Sequence, residues 1–216
     1  MSEARERAAS RQFRDVTQRW PVVCSAELMH GEIIRVRRDM VQMPDGDTAG
    51  REVVEHPGAV AVLAIDEAER VLVIRQYRHP VSALLWEIPA GLRDIDGEPP
   101  LVTAERELLE EAGYRAADWR VLVDFFSSPG IITERLRVFL ARGLTEVPAE
   151  QRTYVRRHEE AELVVAWLPL EEAVAAFLAG DLRNGVTAVG ILSAYAALRG
   201  GFTALRGTEA PESLMN

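Results

Sequence analysis

Cysteine is almost missing from this chain. Cys24 is the one cysteine in 216 residues, so no disulfide can close within the chain, and Cys24 itself reads as a small buried apolar residue. Positive charge is the minority: 25 Lys and Arg stand against 34 Asp and Glu, a net −9. That balance argues against nonspecific binding to nucleic acid or to an anionic membrane surface. No apolar stretch reaches the length of a membrane span without a charge. The first residues, Met1 to Arg14, have no apolar core of the kind a signal peptide needs. The expectation is a cytoplasmic protein with neither a nucleic-acid nor a membrane partner. Several catalytic signatures are missing too: there is no P-loop, G-x-G-x-x-G, H-E-x-x-H, C-x-x-C or G-x-S-x-G. The histidines His30, His56, His79 and His158 do not fall at metal-ligand spacing. Ser127-Ser128-Pro129-Gly130 reads as a turn, because no base can be assigned to either serine.

What the chain does have is concentrated in residues 87–114. The first half is a turn-rich loop with Pro89, Gly91, Gly97, Pro99 and Pro100. The second half predicts a helix from Pro100 to Ala112, stopped by Gly113, with proline at the start and glycine just past the end. Leu101, Ala104, Leu108 and Ala112 form one apolar stripe. Glu107, Glu110 and Glu111 share another face, at i, i+3 and i+4. A charged face can simply be solvated. Clustered carboxylates behind a Gly/Pro loop also suit a hard divalent cation that bridges to substrate phosphates. Spacing alone leaves these two readings level. A bound cation would also reverse the local sign for an anionic substrate on a chain of this charge.

The segment resembles the Nudix box, G-x5-E-x7-R-E-U-x-E-E-x-G-U, with U a bulky apolar residue. Gly91, Glu98, Arg106, Glu107, Leu108, Glu110, Glu111, Gly113 and Tyr114 fill its positions. It departs twice: six residues, not five, separate Gly91 from Glu98, and Tyr114 is aromatic. Pro129, fifteen residues beyond Tyr114, matches a proline typical of the ADP-ribose pyrophosphatase subfamily. So do His56-Pro57-Gly58-Ala59-Val60, Arg75-Gln76-Tyr77-Arg78-His79-Pro80, Glu87-Ile88-Pro89-Ala90-Gly91 and Gly180-Asp181-Leu182-Arg183-Asn184-Gly185.

The resemblance implies hydrolysis of ADP-ribose to AMP and ribose 5-phosphate. It implies Mg²⁺ (or Mn²⁺), two or three ions per site, held by Glu107, Glu110, Glu111 and the Ala90 carbonyl. Glu110 could equally serve only to balance Arg106. Arg106 would orient the carboxylates, and the base would come from a mobile loop, Glu159 ahead of Glu160. Arg37 (with Arg38 as competitor), Arg78, Glu87 and Gly130 would meet the substrate. Trp20 is either an adenine-stacking residue or a core or interface tryptophan. A homodimer that exchanges N-terminal strands is also implied. Two alternatives stand beside this reading: a relative acting on another nucleoside diphosphate sugar or dinucleotide, and a catalytically silent Nudix regulator. The silent form would be expected to lose box carboxylates, and all three remain.

The remaining pattern predicts an α/β (α+β) fold. Residues 1–56 read as a small β region with a turn at Pro44-Asp45-Gly46-Asp47. Residues 57–205 read as the main domain, for which the resemblance implies an α/β/α sandwich with a mixed sheet. Ala59–Ile65 and Val71–Gln76 are expected to pair as an antiparallel hairpin. Thr145–Glu160 reads as a polar mobile loop, and helices are expected over 169–179 and 186–198. Residues 206–216 are expected to lack fixed structure.

Overall fold

Pro44 to Asp47 turns the chain as its residue types require. The Asp45 side chain accepts the Asp47 N–H at 3.1 Å, and Gly46 takes φ 93°, a conformation glycine adopts without strain. Around this turn lie β2 (Arg35–Gln42) and β3 (Thr48–Glu55), with β1 (Val22–His30) antiparallel on the far edge of β2. The computed structural model describes residues 13–156 and 161–212. Every residue of β1 is exposed, including Cys24, contrary to the expectation of burial. The N-terminal sheet meets the rest of the chain at Val54. Its N–H donates to the Ile131 carbonyl, and its own carbonyl accepts the Thr133 N–H, both at 2.9 Å.

The main domain is built on β4 (Ala59–Ala64), buried at all six positions. A strand apolar on both faces needs cover on both sides and partners on both edges. β4 finds them in β7 (Ala90–Leu92), antiparallel, and β9 (Arg135–Glu146), parallel. β8 (Tyr114–Phe126) completes this four-stranded sheet on the far edge of β9. β5 (Arg70–Arg78) lies in a second sheet, between β6 (Ala83–Glu87) and β10 (Val164–Pro169). The expected β4–β5 hairpin is therefore not formed. Their backbone pairing is reduced to an isolated Ile65–Val71 bridge. The turn between them explains this. Asp66 accepts the N–H groups of Ala68 and Arg70, Glu69 sits at φ 58°, and the chain is turned out of one sheet into the next.

Helices cover both faces. On one side, Val60, Val62, Leu72, Ile74 and Phe139 pack with Ala104, Leu108 and Ala112 of α1 (Pro100–Glu107) and the π turn Leu108–Ala112 that continues it. On the other, Ala61, Leu63, Val73 and Leu140 pack with α2 (Leu170–Ala179) and α3 (Gly185–Leu198). The result is the α/β/α arrangement with mixed strands. Asn184 caps α3 by accepting the Thr187 N–H.

Residues 206–212 differ from expectation. Rather than lacking structure, they run beside β8 and pack Ala210 on the α1-side core. Terminal position and polarity suggest fraying, but this segment finds buried charge partners on β8 and β9, described below.

Candidate active site

Glu107 and Glu111 stand one turn apart on α1 and its π extension, and both are buried, at 9% and 4% exposure. Two buried carboxylates on one helix face need partners. Glu111 has one in the backbone of β7, where the Ala90 N–H donates to Oε2 at 2.8 Å. Glu107 lies so close to Gly91 that any Cβ there would overlap its carboxylate. The glycine is thus required by close approach. The π turn sits where the carboxylates crowd, and such turns recur at functional sites.

Arg106 binds the acidic face together. It donates to Glu107 Oε1 at 2.6 Å and to Glu98 Oε2 at 3.3 Å, and lies 3.5 Å from Glu110. Burial works to lower the Arg106 pKa, but the charges of Glu107, Glu98 and Glu110 outweigh it and hold the group above its ordinary value. The Thr103 hydroxyl, at 2.7 Å, and then Arg106 hold Glu98 below the usual carboxylate range. Glu110 is placed to balance Arg106. The Ala90 contact that the structure shows is its N–H to Glu111.

Arg78 and Glu87 meet each other. Arg78 Nε and Nη2 donate to Glu87 at 3.0 and 2.6 Å across the β5–β6 pair. Glu87 is 2% exposed, and Gln76 Nε2 reaches its Oε2 at 3.5 Å. Glu87 stands opposite Ile74 in register, so it faces the α1 side of the sheet. Arg37 is held by Asp39, at 3.0 Å, and by Glu55, within the N-terminal sheet. Arg38 lies against Gly50 on the same sheet. Gly130 is exposed in the turn between β8 and β9, which leans on β3. Neither Arg37 nor Gly130 is joined to the acidic face by these contacts. Trp20 is 46% exposed ahead of β1 and is not a core residue of the described chain. Glu159 and Glu160 lie outside the described residues.

A residue just ahead of that pair, however, was passed over by sequence reasoning. Arg156 donates to the Glu111 carbonyl at 2.5 Å and to the Leu163 carbonyl at 3.4 Å. It therefore joins Leu163 and its own position to the C-terminal end of the acidic helix, where a cation is also favoured by the helix dipole. Arg152 lies over Gly113, where a Cβ would overlap its guanidinium, and donates to the Val147 carbonyl at 2.7 Å. The available signal was two arginines four apart, Arg152 and Arg156, within the stretch Thr145–Glu160 that reads as a polar loop.

The family described as NUDIX domain matches residues 55–188. The chain belongs to the Nudix family. An ADP-ribose pyrophosphatase of Mycobacterium tuberculosis (strain ATCC 25618 / H37Rv) is 45% identical over 177 residues, covering 82% of this chain and 84% of that protein. An ADP-ribose pyrophosphatase of Bacillus subtilis (strain 168) is 35% identical over 170 residues, covering 78% and 89%. A solved structure of an ADP compounds hydrolase shares the fold, with TM-score 0.72 over 87% of this chain and 98% of its own, at 19% identity.

Nudix hydrolases generally use divalent metals. Among the described residues, no three Asp, Glu, His or Cys side chains converge as a ready-made cage. A cation such as Mg²⁺ needs none, because it keeps several waters and is held through one or two carboxylates and substrate phosphates. Buried Glu107 and Glu111, oxygen donors beside a backbone strand, fit that chemistry. The Nudix box here is accordingly a pair of buried carboxylates with its own guanidinium clamp.

Proposed function

We propose that this chain hydrolyses ADP-ribose to AMP and ribose 5-phosphate. The observation that carries the reading is the buried Glu107–Glu111 pair, clamped by Arg106 and Ala90. Two relatives named ADP-ribose pyrophosphatase that cover most of the chain supply the substrate class. Glu107 and Glu111 would hold Mg²⁺ or Mn²⁺, two or three ions, with Glu110 and the Ala90 carbonyl as further oxygen donors. When bound, the cations neutralise the pyrophosphate and lower the pKa of water. Arg106 orients the carboxylates through its contacts with Glu98 and Glu107. Glu159, or its neighbour Glu160, takes the proton of the attacking water. One bridging P–O bond breaks as the new one forms, and the proton of the water leaves through the loop carboxylate. Arg156 supports this role by joining Leu163 and its own position to Glu111.

Arg78 and Glu87 act as one unit at the substrate, since the buried carboxylate fixes the direction of the guanidinium. Arg37 and Gly130 would reach the nucleotide from the N-terminal sheet and the β8–β9 turn, which are joined at Val54. The exposed β1, with Val22, Val23, Leu28 and Met29, supports a homodimer through residues 1–56, leaving residues 57–205 as the catalytic domain. No helix among the described residues is long and apolar enough to cross a membrane, and a nucleotide substrate accords with a cytoplasmic enzyme.

A hydrolysis screen with Mg²⁺ or Mn²⁺ over ADP-ribose, sugar nucleotides, NADH and diadenosine polyphosphates tests this. ADP-ribose should give the highest kcat/KM. Preference for another substrate would move the activity, and no turnover of any would revive the silent regulator.

A further inference from the structure

The segment 206–212 is pinned at each end. The Val121 N–H donates to the Arg206 carbonyl at 3.0 Å, and Arg206 Nη1 donates to Asp124 at 2.9 Å. Arg137 on β9, only 4% exposed, binds Asp124 at 2.7 and 3.0 Å and donates to the Ala210 carbonyl at 2.9 Å. Beyond it, Glu212 takes two hydrogen bonds from Arg93 Nη1, at 2.9 and 3.0 Å, and lies 3.6 Å from Arg137 Nε. Both the Arg93 and Glu212 side chains are largely buried.

Arg93 is the first residue after β7 and opens the loop that ends in Glu98. This loop is one residue longer than the Nudix box pattern, and it carries an exposed Ile95 and a glycine at φ 77°, Gly97. A longer loop has more conformations to lose when it is ordered. The loop's far end must nevertheless place Glu98 on Arg106, and through it Glu107. A charge-assisted contact at the near end, one guanidinium nitrogen shared between both carboxylate oxygens, removes part of that freedom before any ligand arrives.

We propose that Glu212 is a positioning residue: residues 206–212 form a strap that holds Arg93 and so presets the box loop for cation binding. The inference rests on the reading of the box as the cation site. Glu212→Gln keeps the size of the side chain and removes its charge. In this variant, amide hydrogen exchange over residues 93–99 should quicken. The Mn²⁺ concentration for half-saturation, measured by calorimetry without substrate, should rise about three- to tenfold, less than the 10–100-fold typical when a partner touching the ligand is lost. kcat at fixed Mn²⁺ should fall while KM for ADP-ribose holds. Arg93→Gln should match Glu212→Gln, the double variant should be no worse than either single one, and Arg93→Lys should recover part of the loss. The proposal is overturned if Glu212→Gln leaves both exchange and Mn²⁺ binding unchanged. It is also overturned if the two substitutions simply add. Should the wild-type chain hydrolyse none of the screened substrates, exchange and calorimetry still decide the role of the strap separately.

Discussion

Ala90 donates its backbone N–H to the carboxylate of Glu111, so a strand residue ahead of the loop fixes a helix residue beyond it. Glu111→Gln can keep this bond through its amide oxygen while removing the charge. The variant should melt near the parent temperature. Its kcat should fall by more than about a hundredfold, beyond what loss of an outer partner costs. Near-normal turnover would place the cation site elsewhere.

Gly91→Ala should be severe for a different reason. The added methyl overlaps the Glu107 carboxylate, so either the strand or the carboxylate must move. A displacement on the order of 1 Å at a reacting centre costs about 10²-fold in rate. Circular dichroism and turnover together check this; a folded variant with parental kcat would mean that Glu107 has no fixed place in the chemistry.

The base is decided by comparing neighbours. Glu159→Gln should lower kcat by about 10²–10⁴-fold, the usual contribution of a general base, with KM little changed. Glu160→Gln should do much less. If only the Glu160 variant is crippled, the assignment moves by one residue; if neither is, the base lies outside this pair.

Asp124 gives a pH-dependent stability. Burial works to raise its pKa, but the hydrogen bonds and charges of Arg137 and Arg206 outweigh it, and the carboxyl is held below its ordinary value. A group whose folded pKa is depressed stabilises the fold above its unfolded pKa, near 4, and loses that contribution as pH falls through the folded value. Asp124→Asn should cost roughly 1–3 kcal/mol at pH 7, since Arg137 keeps its other partners. The loss relative to the parent should shrink below about pH 4. Urea titrations at pH 7 and pH 3 measure both, and an equal loss at the two values would refute it.

Assembly can be read at β1. Val23 is exposed near the start of a strand with no buried position. The parent should scatter light as a dimer, and Val23→Asp should shift it toward monomer. A fully active parental monomer would remove the N-terminal sheet from the interface.

The acidic helix, its glycine stop, the Pro44–Asp47 turn and the two strands near Ala59–Ile65 and Val71–Gln76 were legible in the sequence. Each depends on residues within a few positions of one another, where spacing dictates geometry. Glu107 and Glu111 share a face because the helical repeat puts them there, whatever packs above. Long-range choices were not legible. Ala59–Ile65 and Val71–Gln76 both look like strands, and periodicity says nothing of which edge each will pair with. Burial decided that, because β4 needed two partners and found them in β7 and β9. The same holds for charge. Nothing in the spacing of the sequence pairs Arg78 with Glu87, Arg156 with the Glu111 carbonyl, or Arg93 with Glu212. Folding desolvates them together, and a buried charge takes whichever partner the topology brings within reach.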